Sequence, residues 1–244
     1  DIDGVYAGLR PLIKGKEGAT SDLSREHAVE TTVPGFTTIA GGKYTTYRVM
    51  AEDAVNAAIA DLQSRGLIDT VANSDTENIP LIGATDLAEA QTRLQANAKS
   101  FGVSSEGVDH LLKRYGSMVG ELISILKYRP ELAAPIAGEV AGGPGYLRVE
   151  ALYAVTHEGA LHIDDILTRR THLSIETPDQ GLAAAEEVAQ IMGAELGWDE
   201  QRIQLELTHY QDRVAAEREA HTAVDDSGAM LARNRVPDIR LTRV

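Results

Sequence analysis

The spacing of the apolar residues changes at Gly41-Gly42, and that change limits the fold more than any other feature of the chain. Upstream, Val5 to Leu12 alternates loosely and stops against Pro11, which cannot donate to a β-ladder. Lys14 to Asp22 is polar and Gly-containing, as a surface loop is. Arg25 to Thr32 and Phe36 to Ala40 flank Val33-Pro34-Gly35, a turn signal, and together predict a β-hairpin. Downstream, Tyr47, Ala51, Ala54, Val55, Ala58, Ile59 and Leu62 recur at helical spacing and Gly66 marks the stop, so the pattern predicts one long helix from Tyr44 to Arg65. Residues 67–85 read as a linker broken by Pro80 and Gly83.

Beyond the linker nearly everything reads as helix. The pattern predicts helices over Leu87–Phe101, Glu106–Arg114 and Met118–Tyr128, with Ser105 and Ser117 as N-caps. Arg148–Glu158 and Ile163–Arg169 follow a Gly/Pro-rich loop at Ala137–Gly145. Thr177-Pro178-Asp179-Gln180 then reads as a cap, a first-turn proline and a reach-back glutamine for a helix ending at Leu196. Asp199 caps a last helix running to about His221, and the tail from Asp225 reads as irregular. The expected class is α+β: a β-hairpin with strands and a long helix over residues 1–66, a linker over 67–85, and an all-helical domain over 86–244.

Composition removes several classes of function. With no cysteine, the chain has no disulfide, no thiolate nucleophile and no thiolate-bound metal. A formal charge of -14 argues against general nucleic-acid binding, which needs a positive face to displace counterions. No apolar run approaches the ~18–20 residues of a membrane span, and no signal-peptide core is visible. Asp1 stands inside strand-like sequence, so the chain is expected to be a piece of a longer protein.

Three motifs carry chemistry. Gly8-Leu9-Arg10-Pro11 and Ser24-Arg25-Glu26-His27 each set an arginine beside strand-like sequence. A planar guanidinium donates two parallel hydrogen bonds to a phosphate and keeps its proton. Two converging arginines would clamp an anion; the competing reading makes each a solvated cation paired with nearby acids. In Ala40-Gly41-Gly42-Lys43-Tyr44-Thr45-Thr46-Tyr47, paired glycines between strand and helix let backbone approach a ligand, and the helix start offers free N–H groups with a positive dipole end and Lys43. The competing reading is an ordinary tight turn. Neither a P-loop nor Gly-x-Gly-x-x-Gly is present. His157 and His162 are five apart and lie off one helical face, so no metal site is expected. Trp198 reads as packing. Arg233, Arg235, Arg240 and Arg243 make the tail basic, read as a frayed end rather than a membrane contact.

Gly4-Val5-Tyr6-Ala7-Gly8-Leu9-Arg10-Pro11-Leu12, Ser24-Arg25-Glu26-His27 and Ala40-Gly41-Gly42-Lys43-Tyr44-Thr45-Thr46-Tyr47-Arg48, in that order, resemble the C-terminal part of FAD-dependent glycerol-3-phosphate dehydrogenase. Arg114-Tyr115-Gly116, Tyr153 to Glu158 and Arg169-Arg170-Thr171 resemble its helical C-terminal domain. The resemblance implies oxidation of sn-glycerol 3-phosphate to dihydroxyacetone phosphate, with electrons passing through FAD to a quinone; a sister branch uses oxygen. It implies that Arg10, Arg25 and Lys43 meet the substrate, and that Gly41, Gly42, Lys43, Tyr44 and Thr45 border the flavin. Related sequences commonly carry Leu or Trp at position 44, so Tyr44 is expected to act through its backbone.

No catalytic base is assigned: arginine stays protonated, His27 on the strand face of Arg25 is a candidate but the family often has another residue there, and the base is sought in the missing N-terminal portion. The fingerprint that holds the ADP half of FAD is absent, so the chain alone is expected neither to bind FAD tightly nor to turn over. Further expectations are a cytoplasmic location with peripheral contact at the inner membrane face, and a possible homodimer. The alternatives are a glycerol-3-phosphate oxidase and a non-catalytic helical dimerisation module.

Overall fold

The computed structural model describes residues 26–136 and 145–239, and these divide into two compact units, one up to Pro80 and one from Leu81. In the first unit, strand β1 (His27–Val33) pairs antiparallel with β2 (Phe36–Gly41), setting His27 opposite Gly41 and Val33 opposite Phe36. Pro34 presets the turn, and Gly35 takes its positive φ of 81°. The hairpin is the expected one. Arg25, the strand expected over Val5–Leu12 and the loop expected over Lys14–Asp22 lie outside the described residues.

A single 3-10 turn (Tyr44–Thr46) leads into helix α1 (Tyr47–Ser64). Gly66 ends the helix at φ 68°, with its N–H bonded to Gln63 O and the Leu67 N–H to Leu62 O, the paired bonds of a Schellman stop. Helix α1 lies lengthwise on the hairpin: Asp61 accepts the Gly35 N–H at 2.9 Å at the turn end, and Asp53 meets His27 at the open end. No residue described in this unit is fully buried.

The second unit is helical. Its helices are α2 (Leu87–Phe101), α3 (Ser105–Tyr115), α4 (Val119–Tyr128), α5 (Arg148–Thr156), α6 (Leu173–Glu176), α7 (Leu182–Leu196), α8 (Glu200–His221) and α9 (Asp226–Asn234), with a π-helical segment over Asp165–Arg170. Two apolar cores share α5. Val149, Leu152 and Tyr153 pack with Leu94, Leu111, Leu122, Ile123 and Leu126, while Ala151 and Ala154 pack with Ile163, Ile166, Leu167, Val188 and Met192. A helix buried on opposite faces is the centre of its domain, which is why α5 has no polar stripe. Among the described residues no helix is long and apolar enough to cross a membrane.

Several helix ends depart from expectation. Ser104, not Ser105, caps α3 by accepting the Gly107 N–H at 3.1 Å. Ser117 caps nothing, because it sits inside a 3-10 turn (Gly116–Met118) that feeds directly into α4. The capping signal at Thr177-Pro178-Asp179-Gln180 stands one turn early. Gln180 and Gly181 both take positive φ, and Asp179 reaches forward to the Gly181 and Ala183 N–H groups. The tail is not irregular: Asp225 caps α9 through the Gly228 N–H at 2.8 Å. Nor is it frayed, since Arg233 pairs with Glu217 and Arg235 with Glu219 on α8. Arg240 and Arg243 lie outside the described residues.

Asp164, just before the π-helical segment, gives a test of the second core's rim. Burial pushes its carboxyl up, but Arg213, Arg169 and the Thr168 hydroxyl outweigh that and hold it below the ordinary aspartate value. A carboxyl depressed in the folded state stabilises above its unfolded value of about 4 and loses that contribution as pH falls below it. The melting temperature of Asp164→Asn is therefore expected to lie below that of the unsubstituted chain at pH 7, and the gap to close by about pH 3. A gap that persists at pH 3 would assign the loss to packing instead.

Candidate functional site

The junction of β2 and α1 is where backbone geometry and charge coincide. Gly41 (φ 76°) and Gly42 (φ 79°) both lie in the left-handed region, a pair of conformations that side chains disfavour. They turn the chain from the end of β2 straight into the first helical turn. The Gly42 N–H bonds back to Glu26 O at 3.2 Å, which ties the turn to the residue preceding β1. A Cβ on Gly42 would meet Met50 Sδ at 2.5 Å and His27 Cβ at 3.2 Å, so the turn lies directly on those two side chains.

The next residues complete a donor-rich tip. The Thr46 hydroxyl accepts the Lys43 N–H at 3.3 Å and donates to Lys43 O at 3.0 Å, which uses one of the amides that a helix start leaves unpaired. Among the described residues no backbone carbonyl takes up the Tyr44 or Thr45 N–H. Lys43, Tyr44 and Thr45 are exposed, Tyr44 at 91%, and no carboxylate of the described residues pairs with the Lys43 ammonium. The tip thus combines free amide donors, the positive end of an 18-residue helix preceded by one 3-10 turn, and a lysine. That set suits an anion or the electron-rich edge of a ring. It fits the pyrimidine end of a flavin, which gathers negative charge when the ring is reduced.

Gly41, Gly42, Lys43, Tyr44 and Thr45 form one continuous tip. Arg10 and Arg25 lie outside the described residues. The contribution that the residue pattern did not expose is Asp53: its Oδ2 sits 2.7 Å from His27 Nε2. Hairpin register sets His27 against Gly41, and Asp53 follows Met50 by three on the same helix face, so the signal was present but needed the pairing to be read.

In the helical unit His157 stacks on Tyr153 with ring centres 4.4 Å apart, while His162 pairs with the buried Glu206 at 2.8 Å. The two histidines serve different partners, and among the described residues no group of three or more His, Asp or Glu is placed to hold a metal. Trp198 packs on the second core under Arg202, whose guanidinium carbon lies 5.5 Å from the ring centre. A cavity of about 260 Å³ lined by Asp86, Glu89, Arg93, Ser117, Gly120 and Ile123 carries mixed charge and no nucleophile–base pair.

Residues 74–203 match the family model of the C-terminal domain of alpha-glycerophosphate oxidase. The chain belongs to that family. It is 46% identical to a glycerol-3-phosphate dehydrogenase of Mycobacterium leprae over 240 residues, covering 98% of this chain and 40% of the relative. It is 44% identical, with the same coverage, to glycerol-3-phosphate dehydrogenase 2 of Mycobacterium tuberculosis strain H37Rv. A mitochondrial glycerol-3-phosphate dehydrogenase of Arabidopsis thaliana is 30% identical over 223 residues, 85% of this chain and 34% of the relative. The chain thus spans about two fifths of the length of the mycobacterial relatives. The match to the C-terminal-domain family starts within the linker and runs through most of the helical unit, so the Gly41–Thr45 tip stands upstream of it.

Proposed function

We propose that this chain supplies one wall of the FAD and substrate site of an enzyme that oxidises sn-glycerol 3-phosphate to dihydroxyacetone phosphate and passes the electrons to a quinone. The observation that carries the reading is the Gly41-Gly42-Lys43 tip: a cationic, amide-lined helix start in a chain whose relatives are glycerol-3-phosphate dehydrogenases. The flavin, when bound, supplies the hydride acceptor. The chain's part is electrostatic. The helix tip and Lys43 stabilise negative charge at the ring's pyrimidine end in a preorganised way, and Lys43 with Arg10 and Arg25 holds the dianionic phosphate. No residue of this chain is assigned as the base for the hydroxyl proton.

The first unit supports an incomplete wall. Val33, Phe36, Tyr44, Tyr47 and Val55 are all exposed, and the described residues of the unit, a two-stranded hairpin on one helix, have little core of their own. In our reading the rest of a longer chain covers these faces and brings the ADP-binding portion of the site. The purified chain is accordingly expected to show no stoichiometric flavin absorbance after incubation with FAD; a yellow, one-to-one complex would refute the one-wall reading.

In the full-length protein, Arg10→Ala, Arg25→Ala and Lys43→Ala are each expected to lower kcat/KM for glycerol 3-phosphate by about 30-fold or more, the result of removing a fixed cation from a dianionic substrate. An unchanged kcat/KM removes that residue from the site. The acceptor is read by following reduction of a soluble quinone analogue against release of hydrogen peroxide: quinone reduction without peroxide is expected, and peroxide as the main product would make the protein an oxidase.

A further inference from the structure

We infer that His27 and Asp53 are the positioning couple of this site, holding the Gly41–Gly42 turn at a fixed height over the start of α1; the inference rests on the reading of that turn as flavin- and phosphate-facing. His27 opens β1 in register with Gly41, and its Cβ lies under Gly42 beside Met50. Its Nε2 is 2.7 Å from Asp53 Oδ2, with the imidazole side chain 19% and the carboxylate side chain 49% exposed. Nε2–H donates this hydrogen bond and the Asp53 carboxylate oxygen accepts it.

Asp53 stands seven residues beyond Thr46, two turns into α1, which at 1.5 Å per residue sets it roughly 10 Å behind the helix tip. The bond thus ties the start of β1, and the glycine turn opposite it, to the body of α1 rather than to its tip. The far end of the hairpin has its own tie, from the Gly35 N–H to Asp61. The His27–Asp53 bond therefore adds constraint only at the end where the glycine turn lies. A pair with a half-exposed carboxylate contributes little to overall stability, which separates its local effect from a general one.

The test uses the full-length flavoprotein with His27→Ala and His27→Gln. The glutamine amide nitrogen reaches about as far as Nε2 and still donates to Asp53. His27→Ala is expected to keep its flavin and its melting temperature, to shift the visible absorption of the bound flavin, and to lower kcat/KM for glycerol 3-phosphate by about 10- to 100-fold. His27→Gln is expected to recover most of both properties. Should His27→Ala fail to fold, Asp53→Ala cuts the pair from the other side and is read by the same spectrum and rate. An unaltered spectrum and rate in His27→Ala, or equal loss in the alanine and glutamine variants, overturns the inference while leaving the site reading intact. If the unsubstituted protein holds no flavin, or Lys43→Ala changes neither spectrum nor rate, the site reading itself falls and takes this inference with it.

Discussion

Glu150→Ala is expected to destabilise the helical unit by about 3–5 kcal/mol, the range for removing one partner of a buried ion pair. Glu150 is 1% exposed, near the start of α5, where side chains of α3 reach it. His110 Nε2 lies 2.9 and 3.1 Å from its two oxygens. The Tyr115 hydroxyl donates to it at 3.1 Å, the Leu147 N–H at 2.7 Å, and Arg114 Nε stands 3.5 Å away. Burial, then the charge of Glu150, pushes the Tyr115 phenol above its ordinary value, so the hydroxyl remains a donor throughout the physiological range.

Alanine at 150 would strand all of these donors in a closed helix junction, where an unpaired polar group is costly. At ~2–4 °C per kcal/mol for a chain of this size, the melting temperature should fall by roughly 6–20 °C. Urea unfolding followed by circular dichroism gives the free energy directly. A loss below about 1 kcal/mol would mean that the network is satisfied by water and that the carboxylate is dispensable. Glu150→Gln, which keeps the side chain's shape and one acceptor oxygen, should cost distinctly less than alanine.

Glu150 also shows where the amino-acid pattern stops being informative. A glutamate near the start of a helix reads as a solvated first-turn acid, and its partners His110 and Tyr115 are 40 and 35 residues away. Glu206 is hidden in the same way, 1% exposed and bound to His162 from 44 residues off. What was legible is what is encoded locally. The Val33-Pro34-Gly35 turn, the glycine pair before a long helix, the stop at Gly66 and the Asp199 cap all sit within a few residues of the structure they specify.

Helix α9 was missed for the opposite reason. Gly228 and the polar residues around it weaken the local signal, and the helix is held by Arg233 and Arg235 reaching Glu217 and Glu219 on α8. The π-helical turn over Asp165–Arg170 has no local signature at all. Of the candidate site, the tip itself was readable because a helix start is a local object. The His27–Asp53 bond spans 26 positions and became visible only once strand and helix were laid side by side.

Gly116→Ala is expected to cost the helical unit about 3 kcal/mol or more, because strain and overlap act at the same atom. Gly116 joins α3 to the 3-10 turn before α4 with φ 55° and ψ -133°, a region that is nearly exclusive to glycine. A Cβ there would be driven into the carbonyl oxygen of Gly83, with Gly83 C at 2.9 Å. Gly83 has no room to retreat: its own Cβ position is 2.8 Å from Tyr115 O, and its carbonyl accepts the Ser117 N–H at 2.9 Å. Two glycine backbones are thus pressed together, stitching the segment before α2 onto the α3–α4 corner. The listening group is backbone rather than a flexible side chain, so relief requires moving a helix end. Gly83→Ala meets the same corner from the other side, at φ 86°. Because both substitutions damage one contact, the double variant should cost less than the sum of the two singles. Urea midpoints for the three variants decide it: additive losses would show that the glycines serve separate purposes, and a loss under about 1 kcal/mol for Gly116→Ala would show that the corner yields without resistance.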